Sequence, residues 1–321
     1  MNATNLDKNY LEFDNQKGMR LIISKLGASI YAIYIDGKIM TLTPACIQDF
    51  EKKTRYYGKN IGPIANRIKD GKLFLNNNVI LFDKNEGENT LHSGSSSISN
   101  MMFEITKDRL SKRYRFITLK TKGKNLPGLK GNITYKITYK IHNNKNIIEL
   151  IYDVKPSEDS ILSLTNHSYF CLGDNSLENM KLMIKSSKYI HPNKDDLTYV
   201  EKRDIIPCLD FNKKKRILRD INDPYLFNSR TFGYDHCFIL DSSLITLENK
   251  NYKLEITSDF KAIQIYSDNY DDNIKLLNSD LKVRRGIAIE PMDDPFNRDI
   301  ISKNTHYKRC IRYKFSKKTF R

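Results

Sequence analysis

Tryptophan is absent from all 321 residues, so large apolar contacts, in a core or in a cleft, fall to 19 tyrosines and 15 phenylalanines. Cysteine is scarce and scattered. Cys46, Cys171, Cys208, Cys237 and Cys310 are odd in number and form no close pair, which offers neither a disulfide framework nor a Cys-x-x-Cys zinc site and predicts reduced thiols. No stretch approaches the ~18 uncharged apolar residues of a membrane span. The N-terminal Met-Asn-Ala-Thr-Asn-Leu-Asp-Lys also has no apolar core of the kind a signal peptide needs. A soluble, cytoplasmic protein is the expectation. Persuasive helical periodicity is nearly missing as well, and there is no low-complexity linker, internal repeat or break in composition. These absences point to one domain over residues 1–321.

Acidic groups are outnumbered, 38 Asp and Glu against 54 Lys and Arg, leaving a formal charge of +16. Such a surplus suits a negatively charged partner, whether nucleic acid, an acidic membrane surface or a phosphorylated sugar. The lysines, however, are scattered along nearly every expected strand, with the densest run at Lys213-Lys214-Lys215-Arg216, and no zinc-finger, RNP or helix-turn-helix signature accompanies them. The charge reads as the bias of a chain rich in lysine, asparagine and isoleucine. Neither nucleic acid nor membrane is expected as a partner, and a monomer or homodimer is expected.

What is present is strand signal. Ile133, Tyr135, Ile137, Tyr139 and Ile141 alternate with Thr134, Lys136, Thr138 and Lys140, the period-2 pattern of a strand with one apolar face. Asp36-Gly37 between Ser29–Ile35 and Lys38–Met40 is a tight hairpin signal, because both residues tolerate positive φ. Asn76-Asn77-Asn78 joins a second hairpin. Further strands are expected over Met180–Ile190, Cys237–Leu240, Leu254–Ser258, Ala262–Ser267 and Gly286–Glu290. Short β-branched and aromatic runs punctuated by Asn, Asp and Gly predict an all-β fold, a large antiparallel β-sandwich.

Polar groups recur at the ends of these apolar runs. They are Ile61-Gly62-Pro63-Ile64-Ala65-Asn66-Arg67-Ile68, Thr90-Leu91-His92-Ser93-Gly94, Leu162 to Phe170 with Thr165-Asn166-His167-Ser168-Tyr169, Gly233-Tyr234-Asp235-His236, and Gly286-Ile287-Ala288-Ile289-Glu290-Pro291. A histidine has the one side chain that titrates near neutrality unperturbed, so His167, set between an amide, a hydroxyl and aromatics, suits proton transfer. Glu290, ending an apolar run, is expected at a strand end on a sheet edge, where partial burial raises its pKa into a useful range for a base. Asp293-Asp294 before Pro295 reads as a solvated loop. His142, His191, His236 and His306 read as structural or solvent-facing.

In this order the motifs resemble the aldose 1-epimerase (galactose mutarotase) family, from about Leu21 to about Phe315. There are departures. Ser93 stands where the family usually has a second glycine, Cys171 where asparagine is usual, and Pro291 follows Glu290. The resemblance implies the galactose mutarotase-like β-sandwich and an isomerase that interconverts α and β anomers of a free hexose such as galactose or glucose, with no cofactor and no metal. It implies Glu290 as catalytic base and His167 as general acid. His92, Asp235, Arg67 and Asn66 would bind substrate, with a structural salt bridge the equal alternative for Arg67. The glutamate is expected to set the acid limb of the pH profile and the histidine the alkaline limb. The alternatives are an epimerase of hexose 6-phosphates, marked by a basic cluster near C6, a non-catalytic sugar binder or sensor on the same fold, and a glycosidase with two carboxylates ~5 to 9.5 Å apart.

Overall fold

The computed structural model describes residues 8–52, 56–227 and 232–318. Two antiparallel sheets make the body of the fold. The larger has nine strands in the spatial order Glu104–Leu110, Tyr114–Lys124, Asn132–His142, Ile147–Pro156, Tyr307–Lys317, Tyr252–Ser258, Leu244–Glu248, Lys181–Ile184 and Lys215–Arg216. The smaller has six, in the order Tyr169–Phe170, Ile287–Met292, Ala262–Tyr266, Asp235–Ile239, Lys188–Pro192 and Tyr199–Asp204. The first strands, Tyr10–Asp14, Met19–Ser24, Ser29–Ile35 and Lys38–Ile39, form a separate meander. Its last turn has φ of 49° at Asp36 and 75° at Gly37, as the Asp-Gly signal predicts. One short helix, Ile47–Glu51, is the only α-helix among the described residues. Among the described residues no helix is long and apolar enough to cross a membrane.

Period-2 geometry decides which side chains meet. Ile133, Tyr135, Ile137, Tyr139 and Ile141 are buried while their neighbours are not, and they share a core cluster with Ile263, Ile265, Phe238, Ile287 and Ile289 of the smaller sheet. That contact is the sandwich. The smaller sheet is buried on its other face too, where Met292, Ala262, Cys237 and Ile190 pack with Ile61 and Ala65. Every residue of Ile287–Met292 is buried in consequence, as a strand covered on both faces must be. The second face is the one that carries the functional groups.

Three expectations need correction. Met180–Ile190 is not one strand: Lys181–Ile184 joins the larger sheet and Lys188–Pro192 the smaller. The polar break between them makes the corner, where the Ser186 hydroxyl lies 2.6 Å from the carbonyls of both Lys188 and Ile239. Glu290 is not at a strand end on a sheet edge. It lies inside Ile287–Met292, the second strand of the sheet, opposite Gln264. Asp293 and Asp294 do not form a solvated loop. Both are buried, Asp293 receiving Tyr307 Oη at 2.6 Å and Arg309 Nε at 2.7 Å, and Asp294 pairing with Lys202.

Candidate active site

Four separate stretches converge over the outer face of the smaller sheet. The Thr165–Asn166 strand pairs with Asn60–Ile61. The His167 N–H then donates to Lys59 O at 2.8 Å, and its carbonyl accepts from Gly58 N at 3.0 Å. Alternation turns Asn166 and Ser168 one way and His167 the other. On the inner side Asn166 donates to Asn60 Oδ1 (3.1 Å) and Gly58 O (3.0 Å) and accepts from Ser168 Oγ (2.6 Å) and Tyr313 Oη (3.3 Å). A satisfied buried network of this kind rigidifies what it touches. On the outer side the His167 ring rests among Tyr169, Tyr56 and His92, with centroids 4.9, 5.6 and 5.3 Å away.

His92 enters on a backbone in the left-handed region, with φ of 52° there and 68° at Ser93. Left-handed φ at position 93 accounts for a usual glycine. Here Ser93 recovers part of that cost, because its hydroxyl accepts from Ile64 N and donates to Ile64 O, both at 2.8 Å. Asn66, also at positive φ (66°), donates its backbone N–H to His92 Nδ1 at 3.2 Å, and its carbonyl accepts from His92 N at 3.1 Å. A nitrogen that accepts an N–H carries no proton, so neutral His92 holds its proton on Nε2. It presents a donor to the cleft.

The sheet supplies the acids. Glu290, Gln264 and Asp235 sit on adjacent strands, with Glu290 opposite Gln264 and Gln264 opposite Cys237, two residues beyond Asp235. Gln264 Nε2 donates to Asp235 Oδ1 at 2.5 Å, and Gln264 Oε1 accepts from Tyr199 Oη at 3.3 Å. Arg67 reaches in from above. Its Nε and Nη2 grip Glu86 at 2.7 and 3.1 Å, and Nη1 lies 3.5 Å from Asp235 Oδ2. Arg67 thus makes the structural ion pairs and also faces the cleft. Glu290 Oε1 stands 3.3 Å from His167 Nε2.

These groups line one cleft of about 390 Å³. It contains every residue singled out as a site residue from the sequence, namely Asn66, Arg67, His92, His167, Asp235 and Glu290. Tyr56, Tyr169, Tyr266 and Tyr270 supply aromatic walls where tryptophan is lacking. Sequence reasoning missed Glu86 and Gln264. Gln264 is recoverable only from register, since its place opposite Glu290 follows from strand pairing. Glu86 carries no local signal at all. The departure at Cys171 lies outside the lining, where its sulfur meets Asn278 Nδ2 and Ile39 O.

Burial sets the electrostatics. It pushes the Glu290 carboxyl well above the usual range, the Asp235 charge adding to the effect and Arg67 opposing it. His167 is pushed down to about 4, again by burial. His92 lies well below its ordinary value through burial first, then His167 and Arg67. Asp235 is raised by burial against the pull of Arg67. Raising a carboxylate makes it a stronger base and lowering an imidazolium makes it a stronger acid, so the 290–167 pair is biased for proton transfer. The ligating atoms of His92, His167 and Glu290 lie within 4.8 Å of one another, the only such group among the described residues, and these three could hold a metal ion.

Comparison with known proteins gives a consistent picture. The family model described as aldose 1-epimerase matches residues 10–300. The aldose 1-epimerase of Haemophilus influenzae is 24% identical over 297 residues, covering 87% of this chain and 85% of that protein. The galactose mutarotase of Homo sapiens is 24% identical over 301 residues, covering 87% and 81%. Among solved structures, galactose 1-epimerase from Lactobacillus acidophilus superposes with a TM-score of 0.86 at 21% identity, over 96% of this chain and 98% of that one.

Proposed function

The chain belongs to the aldose 1-epimerase family and is an isomerase, and from that premise we propose that it interconverts the α and β anomers of a free hexose such as galactose or glucose, with Glu290 as base and His167 as acid. We take residues 1–321 as one domain, since both halves of the chain contribute to the cleft. In ring opening, Glu290 takes the proton of the C1 hydroxyl, the O1–H pair forms the C1=O bond, the C1–O5 bond breaks, and O5 receives the proton of His167 Nε2. Rotation about C1–C2 presents the other face of the aldehyde. Closure runs the transfers backwards, with protonated Glu290 as acid and neutral His167 as base. No electron leaves the sugar, so the chemistry needs no redox cofactor.

One observation carries the reading: Nε2 of His167 and Oε1 of Glu290 are side by side at 3.3 Å, both buried. O1 and O5 share a single carbon, so an acid and a base serving both must be adjacent. A glycosidase needs instead two carboxylates flanking a bond, with room for water or covalent attack. The cycle also conserves charge, because carboxylate with imidazolium and carboxylic acid with imidazole contain the same protons. Burial favours the neutral pair, which is the resting form as well as the form that accompanies the open-chain sugar, so the proton resting on Glu290 passes to His167 Nε2 across the 3.3 Å gap before the ring opens. His92 Nε2–H, Arg67, Asp235 and Asn66 are proposed to hold the hydroxyls.

A free sugar is favoured over a 6-phosphate by the lining itself. Arg67 is its only lysine or arginine among the described residues, and that cation is already paired. The test is polarimetry of freshly dissolved α-galactose, α-glucose and glucose 6-phosphate in chelator. Acceleration of a free hexose is expected. A rate that vanishes in chelator and returns with metal, or a clear preference for the phosphate, contradicts the proposal.

A further inference from the structure

Glu86 lies in a stretch that the chemistry above does not use, yet the turn that carries it is fastened on every side. Arg67–Ile68 pairs with Thr90–Leu91, so the chain between them departs and returns to the same point, and the 85–91 turn closes over Arg67. Asn85 clamps Leu91 through both amide atoms, accepting from its N–H at 2.7 Å and donating to its carbonyl at 3.1 Å. Glu86 and Asn89 exchange backbone bonds of 3.1 and 3.0 Å. The Asn89 side chain then ties the turn to Asp70 N (2.9 Å) and Asp196 Oδ2 (3.2 Å). The Glu86 carboxylate is therefore held in place, and its two oxygens take Arg67 in a bidentate fork. Such a fork is the strong and directional form of the pair. The side chains of Glu86 and Arg67 are only 22% and 10% exposed, so solvent screens them less than a surface pair.

The electrostatic consequence is larger than the mechanical one. Arg67 is the sole lysine or arginine lining the cleft among the described residues, and it faces two carboxylates, Glu86 and Asp235. Asp235 is the nearer to the proposed chemistry and is already bonded to Gln264. A carboxylate added from a fixed turn leaves the lining formed by the described residues acidic even though the protein as a whole carries +16. We propose that Glu86 is a specificity-determining residue: by cancelling Arg67, the one cation of the cleft among the described residues, it rejects sugars that carry a negative charge, such as hexose phosphates and hexuronates, and admits neutral aldoses. The inference rests on the mutarotase reading of the site. Specificity of this kind is a difference of affinities produced by a repulsive element, and it protects a strongly basic protein from collecting anionic metabolites in its active site.

The experiment compares wild type, Glu86→Gln and Glu86→Asp in kcat/KM for galactose, glucose, glucose 6-phosphate and galacturonate, at low and constant ionic strength. Thermal unfolding is followed in parallel. Glu86→Gln keeps size and an acceptor but removes the charge, so the ratio of anionic to neutral sugar is expected to rise about tenfold, equivalent to about 1.4 kcal/mol. Glu86→Asp keeps the charge and should leave the ratio near that of wild type. If Glu86→Gln loses activity on both classes equally, Glu86 only props Arg67 and the inference falls. Wild type alone gives a second test, independent of how the variants fold. If it turns over glucose 6-phosphate as readily as glucose, the inference is overturned while mutarotation stands. If no aldose is accelerated, the underlying reading fails instead.

Discussion

A histidine buried without an acceptor for one of its nitrogens makes a poor imidazolium, and His167 is such a histidine, its Nδ1 having no hydrogen-bond partner among the described residues. Two N–H groups would need two acceptors, and among the described residues only Glu290 is at hand. Burial takes the ring down to about 4 and takes Glu290 upward, while the surrounding charges of Asp235 and Arg67 pull Glu290 in opposite directions. At 3.3 Å the two groups are close enough for their protonation to be coupled. The competent pair holds one transferable proton. Below about pH 4 a second proton is added, largely at His167, and the base is lost. On the alkaline side the shared proton departs as the raised pKa of Glu290 is passed. If the proposed pair carries the chemistry, the limbs are expected in the reverse of the order read from the sequence, which gave the acid limb to the glutamate. Nitrogen-15 NMR of labelled histidine beside a pH–rate profile checks this. His167 should remain neutral from pH 8 to about 5 with the rate sustained over that range. A protonated His167 at pH 7 in the free enzyme contradicts it.

At the scale of elements, the site depends on how closely the segment before Lys59 approaches the N-terminal meander. Gly58 has φ of 63°, and a Cβ there would lie 1.8 Å from the Ile30 carbonyl oxygen. The same glycine donates to His167 O and accepts from Ile30 N and from Asn166 Nδ2. It therefore couples the Ser29–Ile35 strand to the backbone of the proposed acid. Gly58→Ala is expected to cost about 3 kcal/mol or more, read as a lower urea midpoint, and to lower kcat in the fraction that folds. An unchanged midpoint and kcat would show that the meander yields, and that Gly58 does not position His167. The alternating strand Asn132–His142 and the Asp36-Gly37 turn were legible in the sequence because each encodes a purely local preference. The corner at Ser186 was not, since a switch of sheets depends on which carbonyls are near. The interior position of Glu290 was hidden for a related reason. A strand buried on both faces has no alternation to read, and polar residues inside it look like an end.

Across the whole molecule, the sandwich gives one face of the smaller sheet to the core and the other to the cleft, so groups distant in the chain meet through register. Asn66, Arg67, His92, His167, Asp235 and Glu290 were named from motifs, and all line the same cleft. Gln264 and Glu86 escaped because their importance is relational. One stands opposite Glu290 across a ladder, and the other is returned to Arg67 by the Arg67–Ile68 and Thr90–Leu91 pairing. The net charge of +16 describes the protein as a whole and says nothing of a cleft whose lining carries more carboxylates than cations among the described residues.

The central claim is that Glu290 and His167 form one proton-transfer unit, and the most direct measurement is kcat for mutarotation beside sugar affinity by calorimetry, in Glu290→Gln, His167→Asn and the double variant. Each single change should lower kcat by ~10²- to 10⁴-fold with a much smaller change in affinity. The double variant should lose far less than the product of the two losses, as members of one unit do. Near-normal turnover in Glu290→Gln, or a loss explained entirely by failure to bind sugar, would contradict the account and leave a sugar-binding cleft without the proposed base.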